Sequence, residues 1–304
     1  MRLVALAAVF SLLSLNAAGQ DYPAKPVRFI SPYPPGGVVD IASRLVGHKL
    51  SEMWKQQVIV ENRTGGGGTI GADHAAKSAP DGYTVLFATV SEFCITPHLY
   101  SKLPYDIRRD MTPVLIATET PLMLAAHNSA PFSTVQEMIA HSKTLPGGLS
   151  YSSPGLGTLN HLTGERLVLE TGARLVHVPY KGGGPAGTAL AGGEVPLGML
   201  AASSAAPHIK SGRVKAIALI DKAGVGFDAS QWVGVAVPTG TSRAIIAKLS
   251  TDINAVLKMP DVRERLNGLG SQPAGSTVEE MATRIRTESE QFAQIVQRIK
   301  LRLD

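Results

Sequence analysis

Residues 31–40 read SPYPPGGVVD. They follow an apolar run, Val27-Arg28-Phe29-Ile30, and lead into Ile41, Leu45 and Val46, which recur at helical spacing. A strand that breaks at proline and glycine and opens a helix is the repeating unit of an α/β fold. Pro34-Pro35-Gly36-Gly37 is more punctuation than a turn requires, so the junction invites a second purpose.

The same alternation runs along the chain. Strands are expected at 27–31, 57–61, 84–88, 114–118, 122–126, 149–151, 175–178, 197–200, 214–219 and 233–237. Helices are expected at 38–54, 70–78, 135–145, 159–171, 185–191, 204–211, 244–257, 260–269 and 278–299. Strand then helix, repeated, predicts an α/β protein with mostly parallel sheets. Thr112 to His127 is a long extended run with Pro121 inside it, as if one strand passes between two sheets, and Val214 to Leu219 is a candidate return. The segment between is a unit of about 90 residues, within the usual domain range. The division expected is therefore 20–122 with 216–304 as a discontinuous first lobe and 123–215 as the second. Two lobes joined by crossing strands place a cleft between them. The last helix, Val278 to Ile299, has an apolar stripe and a charged face, the pattern of a helix packed on a domain surface.

Arg2 precedes an apolar stretch, Leu3 to Leu15, followed by Ala17, Ala18 and Gly19. That stretch is shorter than the roughly 20 residues a membrane span needs. It predicts a cleaved secretory signal, residues 1–19, and an exported mature protein. Cys94 is the only cysteine, which excludes an intramolecular disulfide and cysteine-based zinc or redox chemistry. Without Arg2 the chain carries 28 of its 29 basic residues against 24 acidic, and the excess is scattered. No nucleic-acid footprint is present.

The most informative device is repeated. Pro34-Pro35-Gly36-Gly37, Gly65-Gly66-Gly67-Gly68, Ser152-Ser153-Pro154-Gly155-Leu156-Gly157-Thr158 and Lys181-Gly182-Gly183-Gly184 each precede an expected helix. Glycine lets backbone N–H groups approach a ligand. A helix N-terminus adds unpaired donors and roughly half a positive charge. Any one cluster taken alone is better read as a tight turn. Four of them on both lobes, all at helix starts, point to a shared anion-binding cleft. Each dipole contributes about 0.3–2 kcal/mol, whereas a micromolar ligand needs about 8 kcal/mol. Hydrogen bonds and expelled water must supply the rest. No nucleotide-binding motif matches, and no cofactor is expected. Catalytic patterns are also absent. His161 and Glu165 lie four apart and could ligate a metal or form a side-chain pair, the latter being favoured without a third ligand. Asp40, Asp73 and Asp81 fit caps and turns. The chain reads as a binder and not an enzyme.

The strings VRFISPYPPGGVVDIASRLV, VIVENRTGGGGTIGADHAAKSAPDGYTVL, LSYSSPGLGTLNHLTGE, HVPYKGGGPAGTALAGGEV, PHIKSGRVKAIAL and VPTGTSRAIIAKL resemble, in order from Tyr22 onward, the Bug receptors. These are periplasmic solute-binding proteins of tripartite tricarboxylate transporters. The resemblance implies a two-lobed type II periplasmic-binding-protein fold with a central cleft, closing on a small organic carboxylate. It implies ligand contacts from Tyr33, Pro35, Gly36 and Gly37, and from the neighbouring turn at Gly68, Gly71 and Ala72. Thr89 and Ser91 would line the cleft. Ser152, Ser153, Gly157, Thr158 and His161 would meet the ligand from the second lobe, with Tyr180 and Lys181 matching the VPYKG element. A monomer is expected, partnered by a membrane permease of the tripartite tricarboxylate type or by a sensor kinase. A secreted hydrolase or isomerase using His161 and Glu165 is the third reading. Three departures stand out. Leu200 replaces a frequent Asp, which argues against an amino-acid ligand. The usual segment after Ile220 is missing, which touches the hinge. Gly65–Gly68 replaces a commoner P-G-A-G-G, which is expected to loosen one wall.

Overall fold

The computed structural model describes residues 22–220 and 230–303. The expected signal peptide and most of the altered segment after Ile220 lie outside the described residues. The chain opens with β1 (Val27–Ser31), α1 (Val38–Trp54), β2 (Val58–Asn62), a 3-10 turn (Gly66–Gly68), α2 (Thr69–Ala76) and β3 (Thr84–Thr89). A π-helical turn (Ser91–Ile95), α3 (Thr96–Leu99) and α4 (Ile107–Asp110) lead into the long β4 (Met111–His127). Then follow α5 (Val135–Thr144), β5 (Leu149–Ser153), α6 (Leu159–Thr171), β6 (Leu175–Pro179), α7 (Gly183–Gly192), β7 (Leu197–Ala201), α8 (Ala202–Lys210) and β8 (Val214–Leu219). The last elements are β9 (Ser230–Pro238), α9 (Arg243–Leu257), α10 (Pro260–Gly268), β10 (Gln272–Pro273) and α11 (Val278–Ile299).

The strands run β2-β1-β3-β9-β4-β7-β5-β6 across the molecule, with β8 and β10 also on β4. β1 is parallel to β2 and β3, and β5 is parallel to β6 and β7. β4 joins the two lobes of this α/β fold. Its first part, Met111 to Pro121, pairs with β9, and its second, Leu122 to His127, pairs with β7 and β8. The two short strands expected at 114–118 and 122–126 are thus one strand that passes through Pro121. β8 pairs with Met123–His127 around an irregularity at Ile217, and residue 215, the expected lobe boundary, lies within that strand. β8 runs back along β4 until Leu219 faces Met123, and β9 takes up the pairing where Ser230 faces Pro121.

The first-lobe sheet is apolar on both faces, as a largely parallel sheet covered by helices requires. Val27, Phe29, Val85, Phe87, Val233, Val235 and Val237 pack with Val39, Leu50, Leu249 and Ile253 of α1 and α9. Ile30, Leu86, Ala88, Trp232 and Ala236 face the other way, toward Met281, Phe292 and Val296 of α11. The alternation is period two, the strand signature. α11 is fixed at its start by a capping box between Thr277 and Glu280.

Two local differences bear on the site. Ser91 to Thr96 form helical structure that the sequence did not announce, because all six residues are buried and leave no polar face to set a 3.6-residue stripe. α7 begins at Gly183 and not at Pro185, so both glycines lie in its first turn, with Gly182 as N-cap.

Candidate functional site

The β1–α1 junction is locked from behind. Asp40, buried in the first turn of α1, accepts the Gly36 N–H at 3.1 Å, Arg44 Nε at 2.8 Å and Asn62 Nδ2 at 2.9 Å. Asn62 Nδ2 also reaches the Tyr33 carbonyl at 2.8 Å. Asp40 therefore shapes the loop, as expected of a first-turn acid. No side chain caps α1, whose N-cap is Gly37, so its first N–H groups remain available.

The second lobe presents a matching end. α7 is also uncapped by any side chain. A Cβ built on Gly37 would lie 3.7 Å from Gly183 N, and one on Gly36 would lie 3.7 Å from Gly184 Cα. Two helix N-termini from opposite lobes thus face each other through glycine. Between the lobes is a cavity lined by Tyr33, Gly37, Val38, Val39, Thr89, Pro154, Gly183, Ala201, Ser204 and Gln231. It encloses about 10 Å³, roughly what one water requires. Two of its side chains hold buried polar atoms with no partner, Ser204 Oγ and Gln231 Oε1. A buried polar atom without a partner costs about 1–3 kcal/mol, which a water or a ligand in this cavity would offset.

The wall beside this cavity holds a buried carboxyl. The Tyr33 phenol lies 2.5 Å from Glu92 Oε1. Glu92 Oε2 accepts the Thr89 backbone N–H at 2.7 Å and its hydroxyl at 2.9 Å. Burial pushes the Glu92 carboxyl above the usual carboxylate range and the Tyr33 phenol well above its own, the latter also through the neighbouring Glu92. The glycine run beside it is not slack: Gly65 to Gly68 all have positive φ. A side chain at Gly68 would collide with the Glu92 carboxyl, and one at Gly67 would meet the Leu156 carbonyl of the second lobe at 2.5 Å. The expectation of a loosened wall is therefore not met, because close packing fixes what composition leaves free.

The Ser152–His161 junction spends most of its donors on protein acceptors. Leu159 N–H, at the start of α6, donates to Ser91 Oγ of the first lobe at 3.1 Å. His161 N–H donates to the N-cap Thr158 hydroxyl at 3.4 Å, and Gly157 N–H to His161 Nδ1 at 3.2 Å. Gly155 N–H donates to Ser153 Oγ at 3.2 Å. Behind them His161 stacks on His177 with centroids 3.9 Å apart, and His177 Nε2 lies 2.5 Å from Ser153 Oγ. Burial, with His161 alongside, holds the His177 imidazole down at about 3. A base that weak is poorly matched to activating Ser153 at neutral pH. His161 Nε2 and Glu165 Oε1 are 3.6 Å apart, a side-chain pair along one helix. No group of three or more metal-ligating side chains occurs among the described residues.

Of the residues expected from sequence, Tyr33, Gly37 and Thr89 line the cavity. Pro35, Gly36 and Tyr180 line the open groove that continues from it past Ser204 and Gly184. Gly68 and Ser91 form the wall and the cross-lobe bridge just described. Gly157, Thr158, His161 and Ser153 hold the second-lobe loop together. Ser152 donates to the Ala186 carbonyl at 3.2 Å within that lobe. Gly71 packs against Pro32 and the Arg63 carbonyl, Ala72 is fully buried in the core, and Lys181 is exposed. Leu200 packs among Ala125, Ala186 and Leu190, outside the cavity. Sequence reading did not select Gly183, Ser204, Gln231 or Glu92. Gly183 stood inside a glycine cluster already recognised; the other three carry no local pattern. A separate apolar cavity of about 390 Å³ lies between the π-turn, α4 and α11, lined by Phe93, Ile107, Met111 and Ile285 among others. It contains none of the glycine junctions.

The matching protein-family model is that of the tripartite tricarboxylate transporter family receptor, over residues 42–301. The chain is 33% identical to Protein BugT of Bordetella pertussis, covering 97% of this chain and 96% of that one. Among solved structures it is similar to an R. palustris protein with adipate, at TM-score 0.89 and 28% identity, covering 93% and 99% of the two chains. It is also similar to MatC of Rhodopseudomonas palustris with bound malate, at TM-score 0.85 and 28% identity, covering 90% and 100%. With the family model spanning most of its length, this chain belongs to the tripartite tricarboxylate transporter receptor family of solute-binding proteins.

Proposed function

We propose that the protein captures a small organic carboxylate between its lobes in the periplasm and delivers it to a membrane permease of the tripartite tricarboxylate type. The observation that carries this reading is the pair of uncapped helix N-termini, α1 and α7, facing each other beside two buried polar atoms without partners. Backbone N–H groups and two dipole ends suit an anion with no formal cation. The Ser204 hydroxyl can donate, and the Gln231 amide can turn its Nε2 inward, adding two more bonds. Adipate and malate in the related structures are both dicarboxylates, which supports the ligand class. Periplasmic placement rests on the expected signal peptide and on the family.

The cavity as it stands admits about one water, so a ligand enters with the lobes apart and is enclosed as they close. A thermal-shift screen over di- and tricarboxylates, amino acids and aromatic acids tests the proposal. A ligand at about a hundred times its Kd adds roughly 2.7 kcal/mol to stability. For a chain this size that corresponds to a rise of several degrees, at about 2–4 °C per kcal/mol. No stabilisation by any acid in the panel would overturn it.

A further inference from the structure

Tyr33 Oη carries one proton and faces two acceptors, Glu92 Oε1 at 2.5 Å and the Gly67 carbonyl at 3.1 Å. The other carboxyl oxygen of Glu92 is occupied by the two Thr89 donors, and Thr89 Oγ1 in turn accepts the Ser91 N–H at 3.1 Å. An ionised Glu92 accepts the phenol's one hydrogen bond at Oε1 and leaves the Gly67 carbonyl unmet. A protonated Glu92 donates from Oε1 to Tyr33 Oη, which then donates to Gly67, and every polar atom in the chain has a partner. Glu92 is fully buried, and none of the groups acting on it, Tyr33, Thr89 and its own backbone N–H, is a cation. Tyr105 faces it from the segment before α4, and Asp73 of α2, beyond Tyr105, adds only negative charge. Burial raises the carboxyl in the same sense.

We propose that Glu92 is held as a neutral carboxylic acid that donates to Tyr33, turns the phenol's hydrogen bond onto the Gly67 carbonyl, and so keeps the cleft wall set and free of the negative charge that would repel an anionic ligand. The inference rests on reading the cleft as a carboxylate site. Glu92 does not line the cavity; its partners Tyr33 and Thr89 do, so it is a positioning residue. Loss of its proton would put a buried negative charge directly behind the wall that meets the anion. It would also release Gly67, which packs against Leu156 of the opposite lobe. Capture and retention of that one proton are therefore linked.

Infrared difference spectra of the wild-type protein and Glu92→Gln test the protonation state without any ligand. Glutamine keeps the geometry, donating to Tyr33 and accepting from Thr89. The carbonyl band of a buried protonated carboxyl is expected in the wild type at about pH 6, well above the ordinary range of Glu, and not in Glu92→Gln. Its absence from the wild type overturns the proposal. Calorimetry with adipate and malate reads the consequence. Glu92→Gln is expected to bind as the wild type does at low pH and to stay flat as pH rises. The wild type is expected to lose affinity by up to about tenfold per unit above the folded-state pKa of Glu92. Glu92→Ala is expected to bind weakly throughout. A pH profile shared by the wild type and Glu92→Gln, or Gln no better than Ala, overturns the proposal. If neither acid binds any variant, it is the reading of the cleft that fails, and the carboxyl band still decides the state of Glu92.

Discussion

Ser91 Oγ accepts the backbone N–H of Leu159 at 3.1 Å, so a side chain just past β3 caps a helix of the opposite lobe. Ser91→Ala leaves that buried N–H without a partner in the closed form only, at a cost of about 1–3 kcal/mol. The Kd for a stabilising carboxylate is expected to rise roughly 5- to 150-fold, with little change in the melting temperature of the free protein. Titration calorimetry checks this, and an unchanged Kd would show that closure does not use the contact.

Ser204→Ala and Gln231→Leu are expected to separate stability from binding. Both remove a buried polar atom that has no protein partner, so the unfolding free energy from urea titration should hold or rise, by up to about 1–2 kcal/mol. Ligand affinity should fall about tenfold or more, since each loses a hydrogen bond to a charged group, of about 1.5–3 kcal/mol. Destabilisation with intact affinity would remove both residues from the site.

Gly184→Ala probes the approach of the lobes. Its Cβ would lie 2.6 Å from the Pro35 carbonyl across the cleft, a collision with backbone. Within α7 the change itself favours the helix by roughly 0.5–1 kcal/mol. The free protein should therefore melt no lower, while ligand-induced stabilisation disappears. A retained thermal shift would show that the two loops separate enough in the bound state to admit the methyl.

His177 makes the second lobe sensitive to acid. Its pKa is near 6.5 in an unfolded chain and is pushed down to about 3 by burial and by His161. Between those values the unfolded chain binds the extra proton, so stability falls as pH drops from about 6.5 toward 3. His177→Gln is expected to flatten that part of the urea-midpoint profile. An unaltered slope would place the acid sensitivity elsewhere.

Much of the architecture was written in local pattern. The alternation along β1, β3 and β9 and the stripe on α11 are set by burial, and burial selects residue type position by position. Three of the four glycine junctions were legible because α1, α2 and α7 start without a side-chain cap, which leaves a visible gap in the sequence. Glu92 was not, since an acid beside Ser91 reads as surface until the fold closes Tyr33 and Gly68 over it. Gln231 and Ser204 come from a strand and a helix far apart in sequence, and only the crossing of β4 and β9 brings their lobes together. The convergence of donors depends on tertiary closure, and no local spacing encodes that.

The facing starts of α1 and α7 are like poles. Each carries about half a positive charge, and at about 4 Å and an effective dielectric near 20 they repel by about 1 kcal/mol. An anion placed between them reverses the sign of the force, which opposes closure of an empty cleft and favours closure of a filled one. The glycine-to-glycine contact lets the two helix starts come this close, since a side chain on either would hold them apart. On the proposed function, lobe position would then report the charge between the helices, as a difference of shape between a loaded and an empty cleft.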